Sequence, residues 1–119
     1  MVPMSVEEIA KAVDGRLIGD ADSESRATNT VSDSRQAGPG SVFVAIRGER
    51  VDGHDFVAKA AEQGATVAIV DHEVESDGLP QIVVKDTVDA LGELARHNIV
   101  RRRELDGDFD IIGLTGSVG

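Results

Sequence analysis

Apolar positions recur with a helical period at the start of the chain and as short unbroken runs further on. Val6, Ile9, Ala10 and Val13 stand at i, i+3, i+4 and i+7, one face of a helix. Ser5 and Glu8 form a capping box at its first turn, a pairing that satisfies orphan backbone N–H groups. Gly15 stands where a left-handed glycine would end this helix. Leu17-Ile18 predicts a short strand stopped by Gly19-Asp20, and residues 20–29 are polar and read as a loop. Val31-Ser32 then leads into Asp33-Ser34-Arg35 and the turn Gly38-Pro39-Gly40.

Ser41 to Ile46 is almost wholly apolar, rich in β-branched and aromatic residues, and too short for a helix. It predicts a strand buried on both faces. A polar loop, Gly48 to Asp55, separates it from a short amphipathic helix through Phe56, Val57, Ala60 and Ala61, ended by Gly64. Thr66–Val70 and Gln81–Val84 predict two more buried strands, with an exposed acidic loop from His72 to Pro80 between them. Asp86 is placed to cap a helix running to about Arg103, with Val88, Leu91, Ala95 and Ile99 as its apolar face and Leu94 beside it. Arg101 to Arg103 suit the negative end of its dipole. Ile111–Leu114 predicts a last strand before Thr115-Gly116-Ser117-Val118-Gly119. Strands alternating with helices in this way indicate an α/β fold, a small mixed or parallel sheet flanked by helices.

Composition narrows the function. The 119 residues fit one domain, and 22 acids against 12 bases give a net charge of -10. That balance argues against nucleic acid or an anionic membrane as partner. The absence of cysteine rules out a disulfide framework, a zinc–thiolate site and a thiol nucleophile. No apolar run approaches the ~18 residues of a membrane span. Acids at positions 7, 8, 14 and 20 exclude a secretory leader from the first 20 residues, so a cytoplasmic setting is expected. Aromatics are only 3%, too few to provide stacking platforms for single-stranded nucleic acid.

Three segments carry candidate chemistry. Asp33-Ser34-Arg35 places a carboxylate, a hydroxyl and a guanidinium at a strand end, groups that read a polar ring and a phosphate. Its plainer reading is an Asp-capped turn with a solvated Arg. Gly48 to Asp55 follows a buried strand, where ligands bind in open α/β sheets, and its plainer reading has Asp52 or Asp55 capping the next helix. Ile111 to Gly119 resembles the opening of a phosphate-binding loop, whose backbone N–H groups face an anion. The strict pattern fails there, because Leu114 occupies the place of its first glycine. His54, His72 and His97 are scattered and show no metal-ligand spacing, with His72 and His97 read as surface residues. Asp20-x-Asp22-x-Glu24 lacks the glycine and distal Glu of a calcium loop, so no metal site is expected.

Taken in order, these pieces resemble the Mur ligases of peptidoglycan synthesis. The resemblance rests on Asp33-Ser34-Arg35, on Ser41 through Phe56 (SVFVAIRGERVDGHDF), on Ala60-x-x-x-Gly64-Ala65 and on Ile111 to Gly119. It implies that residues 1–108 are the family's N-terminal, UDP-substrate-binding domain. Residues 109–119 would then be the first strand and phosphate-loop start of its central ATPase domain, cut short. Within the family, the Gly-Glu-Arg-x-Asp-Gly-His-Asp-Phe run and Thr-Gly-Ser-Val-Gly look most like members that add D-alanyl-D-alanine. Members adding the third peptide residue more often carry Thr-Gly-Thr-Asn-Gly.

The family's full-length enzymes use ATP and Mg²⁺ to activate a peptide carboxylate, which the incoming amine then attacks. By position, the resemblance assigns Ser32, Ser34, Glu49, Arg50 and Val51 to the UDP end of a UDP-N-acetylmuramoyl-peptide, with Arg35 and Asp52 as supporting neighbours. It assigns Gly116, Ser117, Val118 and Gly119 to ATP and no catalytic residue to this chain, which is therefore expected to be inactive alone. The charge distribution agrees, since Arg35, Arg47 and Arg50 cluster in the two suspected segments of an acidic chain. Three alternatives stay open: the same domain of the ligase adding the third residue (diaminopimelate or lysine), a non-catalytic interaction module, and an acidic regulatory domain binding no nucleotide.

Overall fold

Ser5 does cap the first helix: its hydroxyl accepts from the Glu8 N–H at 3.1 Å. The computed structural model describes residues 3–19 and 25–106, with residues 98–106 as helix backbone only. The strands are β1 (Met4–Ser5), β2 (Arg16–Ile18), β3 (Arg26–Ala27), β4 (Asn29–Val31), β5 (Ser41–Val44), β6 (Val67–Val70) and β7 (Gln81–Val83). The helices are α1 (Val6–Ala12), α2 (Val57–Glu62) and α3 (Thr87–Asp106), with 3-10 turns at Ser34–Gln36 and Gly53–Phe56. The expected strand Ile111–Leu114 and the loop Thr115–Gly119 lie outside the described residues, as do the acidic run 20–24 and the side chains of Arg101 to Arg103.

The main sheet has the order β2-β7-β6-β5-β4. Strands β4, β5, β6 and β7 run parallel, and β2 pairs antiparallel with β7. A two-stranded antiparallel pair, β1 with β3, stands apart. The α/β class with a mixed sheet is therefore correct.

Period-two alternation in the central strands divides the core. Val42, Val44, Val67 and Ile69 face α1 and α3, where Ile9, Ala90 and Leu94 close the layer. Phe43, Ala45, Ala68 and Val70 face the other way, onto Val57 and Ala60 of α2. Both faces are covered, so β5 and β6 carry continuous apolar runs rather than a polar alternation.

Four expectations need correction. Residues 20–29 are not all loop: Arg26–Ala27 and Asn29 onward form strands. These are short edge segments, held by backbone bonds and not by an apolar run. Gly15 is not the left-handed residue of α1; Asp14 is, at φ 54°. The Asp14 N–H bonds Lys11 O and the Gly15 N–H bonds Ala10 O, a Schellman closure with Asp at C′. Gly15 serves close packing, since a Cβ there would run into the Ile82 side chain.

Asp86 caps α3 as expected, its carboxylate accepting from the Val88 and Asp89 N–H groups. Among the described side chains, the buried face of α3 is instead Thr87, Ala90 and Leu94, with Leu91 partly covered, and Val88 is 57% exposed; the Ile99 side chain lies outside the described residues. Both stripes obey the helical period and share Leu91, so periodicity alone could not choose between them. Finally, the loop from His72 to Pro80 is not wholly exposed. Ser76 and Leu79 are buried, and Gln81 ties Val74 by two bonds of 2.9 and 2.8 Å.

Candidate functional site

Parallel pairing brings the carboxyl ends of β4, β5 and β6 to one edge, where open α/β sheets bind ligands. The segments leaving that edge are Ser32–Gln36 after β4, Ala45–Gly53 after β5 and Asp71–His72 after β6. Between the first two lies a cavity of about 430 Å³, within the range of small-molecule sites. Its polar wall is Ser32, Asp33, Ser34 and Arg35, and its apolar wall includes Phe43, Ile46, Val51 and Phe56.

The polar wall is a built turn. Asp33 caps it by accepting from the Arg35 N–H at 2.9 Å, and it also grips the Arg35 guanidinium at 2.7–3.2 Å. The Arg35 side-chain bond holds the Asp33 carboxyl down to about 2. From the other side, the Gln63 amide of the α2 C-cap donates to the Ser34 carbonyl. Ser34 is buried at the base of the turn, while the Arg35 side chain is 85% exposed.

The facing wall is the loop after β5. The Gly48 N–H bonds Val51 O at 2.7 Å, and the Gly53 N–H bonds Ile46 O at 2.9 Å. Gly53 has to be glycine, because a Cβ would lie 2.7 Å from the Ile46 nitrogen and 3.1 Å from the Ala45 Cα. Asp52 caps the following 3-10 turn through the His54 N–H, as the plainer reading of this segment expected. That backbone bond and the His54 side chain lower the Asp52 carboxyl below the ordinary range.

Behind this loop, strand adjacency gathers residues far apart in sequence. Arg47 clamps Asp71 by bonds of 2.9 and 3.0 Å and lies 3.6 Å from Asp52. The His54 and His72 rings stack with centroids 4.6 Å apart. His72 Nδ1 is 2.5 Å from Asp71 Oδ1. The Asp71 carboxyl is well below its usual range, chiefly through the Arg47 bond and against the opposing effect of burial.

Residues 27–99 match the family described as Mur ligase family, catalytic domain. The chain belongs to the Mur ligase family. The UDP-N-acetylmuramoyl-tripeptide--D-alanyl-D-alanine ligase of Haemophilus influenzae is 40% identical over 96 residues, which are 81% of this chain and 21% of that enzyme. The UDP-N-acetylmuramoyl-L-alanyl-D-glutamate--2,6-diaminopimelate ligase of Phocaeicola vulgatus is 34% identical over 98% of this chain and 24% of its own length. Among solved structures, a UDP-N-acetylmuramoylalanyl-D-glutamyl-2,6-diaminopimelate--D-alanyl-D-alanyl ligase from Acinetobacter baumannii superposes with a TM-score of 0.73. It is 34% identical and covers 88% of this chain and 22% of its own. The chain thus spans under a quarter of the length of these relatives, and its fold is that of the Mur ligase N-terminal domain.

Within this Mur ligase domain, the cavity unites Ser32, Ser34, Arg35 and Val51. Glu49 and Arg50 lie exposed on the same loop outside the cavity lining, and the Asp52 carboxylate is engaged with the His54 backbone and ring. Of the three arginines, Arg35 and Arg47 are already paired with Asp33 and Asp71. Arg50 makes no ion pair among the described residues. Gly116 to Gly119, assigned to ATP by the resemblance, lie outside the described residues. No described helix is long and apolar enough to cross a membrane.

Sequence reasoning missed Phe43, Ile46 and Phe56 as cavity walls, and it missed the grouping of His54, Asp71 and His72. Their ligand atoms lie within 4.8 Å of one another. The signal available was that Ala45–His54 and Asp71–His72 both follow strands of one parallel pair. Because Asp71 is depressed in the folded protein, its contribution to stability is fully present above the unfolded carboxyl value near ~4. It is lost as pH falls through the lower folded value. Melting temperature is therefore expected to drop on acidification below about pH 4. Asp71→Asn should melt lower at pH 7 and show a shallower acid limb, as followed by circular dichroism.

Proposed function

We propose that this domain holds the UDP end of a UDP-N-acetylmuramoyl-peptide in the cavity between Ser32–Arg35 and Gly48–Gly53. The observation that carries the reading is the meeting of these two segments around one cavity of about 430 Å³. Its apolar wall suits the face of a pyrimidine ring, and its serines and turn backbone suit the ring's polar edge. The diphosphate approaches a chain of net charge -10, so it needs local cations. Arg50 is the guanidinium free to supply one, and Arg35 keeps N–H groups that Asp33 does not use.

In this proposal the whole protein is a cytoplasmic, ATP- and Mg²⁺-dependent ligase that adds D-alanyl-D-alanine to the muramoyl-tripeptide. Gly116, Ser117, Val118 and Gly119 would open its ATP loop. The 40% identity to the Haemophilus influenzae enzyme favours this step. The 34% identity over nearly the whole chain to a diaminopimelate-adding enzyme supports a second reading, that of the preceding step. Both readings share the UDP end and part at the peptide and at the amine.

The test is a titration of UDP-N-acetylmuramic acid, followed through its uracil ring protons. The isolated domain lacks neighbours to close over the ligand, so a Kd of about 0.1–10 mM is expected. Ser34→Ala should weaken binding by about 0.5–1.5 kcal/mol, and Arg50→Ala by about 1.5–3 kcal/mol as a lost charged contact. Equal affinity for wild type and Arg50→Ala would remove the phosphate role of Arg50. Absence of binding at about 10 mM would favour the acidic regulatory domain that binds no nucleotide, or the interaction module, over this reading.

A further inference from the structure

The cavity wall after β5 is a loop with little burial of its own. Residues 47–51 are exposed, and the loop's backbone bonds are the short closures at Gly48 and Gly53. The buried polar side chain next to it is His54, at 5% exposure. Its two ring nitrogens bond in opposite senses. Nδ1 lies 2.6 Å from Asp52 Oδ1, and Nε2 lies 3.0 Å from the Asp71 backbone nitrogen. Asp71 Oδ1 also lies 3.1 Å from Nε2, but that oxygen is already held by the Arg47 guanidinium and His72. A backbone N–H can only donate, so the Asp71 amide takes the Nε2 lone pair and Nδ1 carries the hydrogen, which it donates to Asp52. One end of the imidazole therefore holds the loop, and the other holds the chain just beyond the central strand β6.

The surrounding groups reinforce this tie. Arg47 clamps the Asp71 carboxylate, and His72 stacks on the His54 ring. The trio His54, Asp71 and His72 has the donor types of a divalent-cation site. Here, however, the Nε2 lone pair already faces an amide, and a guanidinium already covers the carboxylate. The arrangement is a cross-link between loop and sheet.

We propose that His54 is a positioning residue that fixes the cavity wall Gly48–Gly53 as its Nδ1–H tautomer, bridging Asp52 to the Asp71 amide. The affinity readout of this proposal rests on the UDP-sugar reading of the cavity; the other readouts do not. The test begins with the wild-type protein, in which long-range ¹H–¹⁵N correlation of the His54 ring should show hydrogen on Nδ1. Hydrogen on Nε2 would overturn the proposal.

Two variants then divide the bridge. His54→Asn keeps a donor where Nδ1 was and loses the Asp71 end, whereas His54→Gln keeps an acceptor toward Asp71 and loses the Asp52 end. In each, the Gly48 and Gly53 amides should exchange about tenfold faster, with the β5 and β6 core amides unchanged. If the wall is then in place about a tenth of the time, affinity for UDP-N-acetylmuramic acid falls about tenfold. Glycine exchange within twofold of wild type in both variants would overturn the proposal. Equal acceleration throughout the core would also overturn it, making His54 a packing residue. If wild type binds no UDP-sugar, the reading of the cavity fails, while tautomer and exchange still decide the role of His54.

Discussion

Phe43→Ala is expected to destabilise the fold by about 3–5 kcal/mol, a large part of the ~5–15 kcal/mol available to a domain. Phe43 sits in β5, between β4 and β6, at 1% exposure. Its cluster on that face holds five alanines, Ala37, Ala45, Ala60, Ala65 and Ala68, beside Val57, Val70 and Leu79. Alanines cannot swing into a vacated space, so much of the space left by the ring stays open. At 119 residues each kcal/mol shifts the midpoint by roughly 4 °C, so a fall of about 12–20 °C should appear in a thermal melt. An unchanged midpoint would mean that this face is not packed around Phe43.

The second large effect is expected at Gly53. Gly53→Ala places a methyl 2.7 Å from the Ile46 nitrogen and 3.0 Å from its carbonyl oxygen. Both are backbone atoms, so no rotamer change relieves the clash; the loop has to lift off the end of β5. Overpacking costs about 1–3 kcal/mol, and loss of the Gly53–Ile46 bond adds about 0.5–1.5 kcal/mol. The outcome should divide between stability and binding, because Gly53 itself lines the cavity. Denaturant unfolding together with the UDP-sugar titration measures both. A variant with wild-type values in each would show that the loop does not close on Ile46.

These two residues also show what was legible in the sequence and what was not. The run Ser41 to Ile46 announced a doubly buried strand, because covering both faces of a sheet leaves an apolar string and no polar alternation. The turn Ser32–Arg35 and the loop from Gly48 were legible as strand-end segments, and the structure brings them to one cavity. Strands β3 and β4 were not legible, since two- and three-residue edge strands need backbone partners more than apolar side chains. The α3 face was ambiguous because Val88 and Thr87 each start a valid helical stripe, and only the neighbouring sheet selects one.

The His54–Asp71 bond was hidden for a different reason. Its partners lie 17 residues apart, and they meet because β5 and β6 are parallel neighbours whose ends share an edge. Asp52 was legible as a cap, but its second bond, to the His54 ring, follows from the fold. Likewise, three arginines near the site look like an anion trap in the sequence. The fold pairs Arg35 and Arg47 with the chain's own Asp33 and Asp71, and Arg50 makes no ion pair among the described residues.

The central claim is that the cavity between Ser32–Arg35 and Gly48–Gly53 is where this Mur ligase domain meets the uridine nucleotide. Backbone amide chemical shifts, followed as UDP-N-acetylmuramic acid is added with ATP as control, test it most directly. The account predicts that the largest shifts fall on Ser34, Arg35, Gly48, Val51 and Gly53, saturate together, and are much smaller with ATP. Shifts gathered instead at the opposite edge of the sheet, around Thr66, Gly78 and Leu79 where a second hollow lies, would contradict it. So would a spectrum in which nothing moves at about 10 mM ligand.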